Sequence, residues 1–125
     1  MLSFKQWLME AIDVNAYDDV GDAPIHIAAQ NGHAGMVEKL IKAGVPVDHP
    51  TKNSRESSLH LAIRNIHPEV VKTLIAHGAD VNNVNIFGNK PLDTARNVLS
   101  WTSAMEKENK VRDIVDALRN AGAKH

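Results

Sequence analysis

The sequence predicts an all-α solenoid, with helix-turn-helix units stacked side by side and joined by short hairpin or loop fingers. Three observations support that class. Segments recur at intervals of 33 and 34 residues, apolar side chains within each segment follow a helical period, and Gly, Pro, Asp and Asn fall at matching places between them.

The repeat emerges when the chain is slid along itself. A shift of 34 lays Ile25-His26-Ile27-Ala28 on Leu59-His60-Leu61-Ala62, Leu40-Ile41 on Leu74-Ile75, and Gly44 on Gly78. A further shift of 33 carries Leu59 and Ala62 to Leu92 and Ala95. Upstream, Asp13-Val14-Asn15 lies 67 residues before Asp80-Val81-Asn82, in the same register. Each full unit opens with a residue suited to a helix start. Pro24 has its φ preset and lacks only an N–H that would go unpaired there, and the Ser57 hydroxyl can act as a cap. Ile25, Ala28 and Ala29 then keep a helical spacing, as do Met36, Val37, Leu40 and Ile41, with the turn "QNGHAG" between them. Gly44 and Gly78 stand where a helix closes in the left-handed region, and "DDVG" and "NIFG" read as tight finger turns.

These motifs resemble the ankyrin-repeat family. Its Thr-Pro-Leu-His-x-Ala start is matched by "APIH" at 23–26 and "SSLH" at 57–60, and more loosely by "KPLD" at 90–93. "NGHAGMVEKLIKAG" and "HPEVVKTLIAHGADVN" match the second helix and exit turn. The resemblance spans about residues 3–95 and 111–123 and implies a single domain over 1–125 with about three and a half repeats. These are an N-terminal half repeat (1–15), repeats at 16–48 and 49–82, and an expanded C-terminal repeat at 83–125. One unit cannot bury its own apolar face, so neighbours stack into a continuous core.

Three departures from regularity stand out. Where the first and third fingers have Asp18-x-x-Gly21 and Asn85-x-x-Gly88, the second has Lys52-x-x-Arg55. A non-Gly residue at positive φ costs on the order of 1 kcal/mol, so this loop is expected to take another path or to be mobile. The final unit is longer by 11 residues, about three helical turns. Its apolar spacing (Val98, Trp101, Met105, then Val111, Ile114, Val115, Leu118) predicts helices over about 91–105 and 110–121, with "EKEN" at 106–109 as the turn. Thirdly, "SFKQWLMEAI" corresponds to a second helix without its first, with Phe4, Trp7 and Leu8 facing inward. Met1, Leu2 and Met9 then leave a partly apolar outer face that a partner, or a homodimer through this helix, would cover.

Composition excludes several function classes. With 14 Lys and Arg against 15 Asp and Glu, the net charge of −1 provides no field for nucleic acid or an anionic membrane. The lack of cysteine removes disulfides, thiolate nucleophiles and Cys-based zinc sites, and fits a reducing, cytoplasmic setting. No apolar run approaches the ~20 residues that span a bilayer, and Lys5, Gln6 and Glu10 break the pattern a secretory signal needs.

Seven histidines invite a metal or catalytic reading, but the register opposes it. His26 and His60 hold one equivalent position and His33 and His67 another, so each serves the unit. The resemblance implies that the first pair knits neighbouring loops by hydrogen bonds and the second belongs to turns. Motifs for zinc hydrolysis, nucleophile elbows and phosphate loops are missing. The expectation is therefore no enzyme, no cofactor and no metal, but a module that binds another protein.

Projecting the family's variable positions onto this chain gives the candidate contact residues. The first unit offers Tyr17, Asp19, Val20, Asp22, Gln30 and Asn31, and the second Thr51, Asn53, Ser54, Glu56, Arg64 and Asn65. The third offers Val84, Ile86, Phe87, Asn89 and Asn97, with Trp101 farther along its helix. Aromatic residues and Arg dominate binding hot spots, which singles out Tyr17, Arg64, Phe87 and Trp101. Separately, "LIAHGADVN" at 74–82 resembles an ankyrin asparagine-hydroxylation pattern, making Asn82 a candidate modification acceptor, with Asn15 a poorer match.

Overall fold

The computed structural model describes residues 16–101 and 105–123. The N-terminal half unit, its apolar outer face, the dimer surface assigned to it, and Asn15 all lie outside the described residues. Six helices follow in order: α1 Pro24–Gln30, α2 Ala34–Lys42, α3 Ser58–Arg64, α4 Pro68–Ala76, α5 Pro91–Trp101 and α6 Met105–Asn120. No strand occurs among the described residues, so the fingers are turns rather than paired ribbons. Within each unit the two helices pack as an antiparallel pair. Between units, α1, α3 and α5 form one layer and α2, α4 and α6 the other.

The core is one cluster running through both layers. Ile25, Leu59 and Leu92 occupy equivalent buried sites, and Ala28, Ala62 and Ala95 another set. Alanine at the second set lets adjacent first helices approach closely. From the second layer come Val37 and Leu40, then Val70, Val71 and Leu74, then Ile114 and Leu118. Helices α2 and α4 close identically. The N–H after Gly44 bonds the Leu40 carbonyl at 3.1 Å, and the N–H after Gly78 bonds that of Leu74 at 3.0 Å. This Schellman closure needs the left-handed conformation that both glycines adopt.

The expanded unit departs from expectation at the junction of its helices, where α5 ends at Trp101 rather than near 105 and Met105 opens α6. Residues 106–109 are not a turn but lie inside α6, which begins at Met105. Lys107, Glu108 and Lys110 are straight-chain helix formers, so a polar stretch here is the exposed start of a helix. Helix α5 has 11 residues where α1 and α3 have 7, and α6 has 16 where α2 and α4 have 9. The whole excess thus lies within helices, about one turn in α5 and two in α6. Near-integral turns keep Ile114 and Leu118 on the face that Val70 and Leu74 present one unit earlier.

The second finger does take another path, while still placing a non-glycine residue in the left-handed region. In the first finger Asp18 Oδ1 accepts the N–H groups of Val20 and Asp22 at 3.0 and 2.9 Å, and in the third Asn85 Oδ1 accepts those of Phe87 and Asn89 at 2.9 and 3.0 Å. Lys52 has no acceptor to offer. Thr51 takes the role instead, its hydroxyl oxygen accepting the Glu56 N–H at 2.9 Å. The closing backbone bonds run Asp18 to Asp22 and Asn85 to Asn89, but Thr51 to Glu56, so the extra residue of this repeat widens the turn. Arg55 sits at φ 53°, and the β-branched Ile66, where the first unit has Gly32, sits at φ 60°. Arg55 is exposed, so Arg55→Gly removes strain at little cost in contacts. It is expected to stabilise the fold by about 0.5–1 kcal/mol, or roughly 2–5 °C in melting temperature. A thermal scan showing no gain would mean the loop has already relaxed that strain.

Candidate functional site

His26, His60 and His67 are structural, and the geometry says how. His26 Nδ1 accepts the Ala23 N–H at 2.8 Å, which leaves Nε2–H to donate to the His49 carbonyl at 2.6 Å. His60 repeats this one unit on, taking the Ser57 hydroxyl proton on Nδ1 at 3.0 Å and donating from Nε2 to the Asn89 carbonyl at 3.1 Å. Ser57 precedes α3 as expected, but its hydroxyl is spent on His60 and makes no cap bond to the helix. Burial is the main cause that holds both imidazoles below the ordinary histidine pKa, so both are neutral ties between one unit and the finger of the next. His67 Nε2 reaches back to the Gln30 carbonyl at 2.9 Å. Gly32 makes room for that ring, since a Cβ there would lie 2.7 Å from His67 Nδ1. Among the described residues no group of three acidic or histidine side chains is placed to hold a metal.

The fingers are laced together. The Lys52 N–H donates to the Gly21 carbonyl at 2.9 Å, the Asn53 amide to the Val20 carbonyl at 3.0 Å, and the Ile86 N–H to the Ser54 carbonyl at 3.1 Å. Tyr17 contributes its hydroxyl to the Pro50 carbonyl at 2.7 Å and stacks on His49. Tyr17 and Asn53, both expected to contact a partner, are therefore occupied in lacing. Glu56 departs further from expectation. It is only 3% exposed, lying beneath Arg64, whose guanidinium pairs with its carboxylate. Thr51 is likewise buried. Asp22 is half-buried and accepts the Gln30 amide at 3.4 Å, a weaker version of the same pair one unit earlier. Asn82 donates its amide to the Gly122 carbonyl at 3.3 Å, which ties the second repeat's exit to the chain after α6.

The remaining candidates converge. Arg64, Phe87 and Trp101 line one cleft of about 170 Å³ between α3, α5 and the third finger, together with Asn85, Asn89, Thr94, Asn97 and Val98. Phe87 is 70% exposed and Trp101 75%, so neither folds back onto its own loop or helix. Ile86 and Val20 are also exposed at finger tips. Of the lining residues, Asn85, Thr94 and Val98 were not among the expected contacts. Asn85 reads in sequence as a turn residue, and only the folded geometry shows its second face turned to the cleft.

The stack of three helical pairs and laced fingers has a counterpart among known families. A family model described as ankyrin repeats, in three copies, matches residues 2–85. The chain belongs to the ankyrin-repeat family. Ankyrin repeats generally mediate protein–protein interaction and are generally non-catalytic. Among curated proteins, the chain is similar to alpha-latrotoxin-Lg1a of Latrodectus geometricus, with 46% identity over 47 residues, covering 38% of this chain and 3% of the toxin. It is also similar to alpha-latrotoxin-Lh1a of Latrodectus hasselti, with 38% identity over 53 residues, covering 42% of this chain and 4% of the toxin. The matched segments are thus a few per cent of the length of those relatives. The ankyrin match stops at residue 85, whereas the helical stacking continues through α5 and α6. No described helix is long and apolar enough to cross a membrane.

Proposed function

We propose that this ankyrin stack binds a protein partner through the concave face made by its fingers and first helices, with Phe87 and Trp101 as the anchoring side chains and Arg64 between them. The observation that carries this reading is the exposure of two large aromatic rings at the rim of one cleft. An exposed Phe and Trp cost solvation without stabilising the fold, and buried aromatic anchors beside Arg are what dominate protein interfaces. The finger tips add a graded pattern. Asp18 and Asp19 are exposed on the first, Lys52 and Arg55 on the second, and Ile86 and Phe87 on the third. Such a sequence of charge and apolar surface favours a partner of complementary order and disfavours others. A cysteine-free domain of this kind suits a reducing compartment such as the cytosol.

Affinity capture from the native cell, with wild type beside Phe87→Ala and Trp101→Ala, tests the reading. Each substitution is expected to weaken a specific partner at least tenfold, about 1.4 kcal/mol or more, with the melting temperature unchanged. Equal recovery of every partner by all three proteins would remove these residues from the interface.

A further inference from the structure

The cleft has a chemistry of its own, set by which hydrogen-bonding atoms are already used. Asn85 is only 6% exposed, and its Oδ1 accepts two backbone N–H groups, from Phe87 and Asn89. That double acceptance fixes the orientation of the amide, so the atom left over is Nδ2, a pure donor. Nothing accepts from it among the described residues, and Asn85 is one of the residues that line the cleft. Arg64 has the same character. Glu56 engages one Nη2 proton from below, while the guanidinium carries further N–H groups on a side chain 45% exposed. The exposed amide of Asn97 stands on the same wall. No Asp or Glu lines the cleft, and the one carboxylate that neutralises Arg64 is buried beneath it. The adjoining second finger adds the exposed cations Lys52 and Arg55. The floor therefore donates, the surroundings are basic, and the rim is aromatic.

Building on the concave-face reading, we infer that the cleft receives a single carboxylate side chain, Glu or Asp, from an extended segment of the partner whose flanking apolar residues pack on Phe87 and Trp101. A volume of about 170 Å³ holds one side chain and no more. A carboxylate accepts from Arg64 and from Asn85 Nδ2 together, giving that amide an acceptor the described residues do not supply. A lysine or arginine in the same place would meet the Arg64 cation and leave Asn85 Nδ2 without an acceptor. An apolar side chain would strand the Asn85 amide without a partner.

The test begins with phage-displayed random 12-residue peptides selected on the immobilised full chain. Enriched sequences are expected to carry a Glu or Asp flanked by apolar residues. Fluorescence anisotropy of one such synthetic peptide should show at least tenfold weaker binding to wild type when its acid is replaced by the amide. On the protein side, Glu56→Gln/Arg64→Gln substitutes a neutral pair akin to the amide-containing pair of Asp22 and Gln30. It should weaken the acidic peptide at least tenfold and the amide peptide much less, so that the preference for the acid is lost. Peptides that bind in a Phe87- and Trp101-dependent way, yet lack acid enrichment or tolerate the acid-to-amide change, would overturn the carboxylate site and leave the concave-face reading standing. No enrichment, or binding indifferent to Phe87→Ala and Trp101→Ala, would overturn both. The acid-to-amide comparison uses wild-type protein, so it decides the matter even if the double variant folds poorly.

Discussion

His60→Ala is expected to lower stability by about 3 kcal/mol, a large share of the margin of a domain this size. Two costs combine. Removing a fully buried imidazole leaves a cavity between α3 and the third finger, and the Ser57 hydroxyl and Asn89 carbonyl lose their shared partner. His33→Ala, at the other repeating histidine position, should change stability by less than about 0.5 kcal/mol, because that side chain is exposed. The same tie makes stability depend on pH. His26 and His60 have folded pKa values below the unfolded value near 6.5, through burial. Their contribution is fully present above about pH 6.5, where both states are neutral. As pH falls below that, the unfolded chain takes up protons first, and stability is lost until the folded pKa values are reached. Two such groups set a ceiling of about 2.7 kcal/mol per pH unit on the slope, and His60→Ala should make it shallower. Urea titrations at pH 7.5 and 5.5 check both statements. Equal midpoints at the two pH values would show that the imidazoles are not held neutral by the fold.

Most of this architecture was legible because it repeats. Ile25, Leu59 and Leu92 share a register, so the core position of one implies the others, and the doubled histidine positions pointed to scaffolding before any contact was seen. What failed to repeat was also what sequence could not place. Position 52 carries Lys in place of an acceptor, and nothing in the string says that Thr51 will take over and widen the turn. The stretch at 106–109 is polar, which suits a turn and an exposed helical start equally, and only packing of Val111 and Ile114 on α4 and α5 selects the second. The left-handed conformation of Ile66 has no sign in the sequence, because the apolar contact it makes with the core outweighs its backbone preference only in the assembled stack. At the cleft, Arg64, Phe87 and Trp101 were legible as residue types. Their convergence was not, since only the folded stack puts Trp101, on the added turn of α5, and Phe87 on one cleft. Glu56 was misread for a related reason, because a carboxylate in a finger looks solvated until its Arg64 lid is seen.

The largest effect concerns the final unit. A chain cut after residue 90 retains every residue of the family match at 2–85, yet it is expected to lose cooperative folding. Helices α5 and α6 cover the far side of α3 and α4, and their Leu92, Val98, Ile114 and Leu118 are buried in doing so. Each such side chain contributes on the order of 1.5–3 kcal/mol of burial, and the apolar surface they leave behind on α3 and α4 would face water. Together these losses rival the 5–15 kcal/mol that separates a folded domain from its unfolded state. Units in a solenoid draw stability from their neighbours, so an uncapped apolar end destabilises the repeat beside it as well. In the full chain, the gentler Leu118→Ala should retain the fold while lowering stability by about 2–4 kcal/mol. Circular dichroism through a urea gradient distinguishes the cases. If residues 1–90 alone unfolded in a sharp transition near the midpoint of the full chain, α5 and α6 would be an appendage to the stack and not its closing cap.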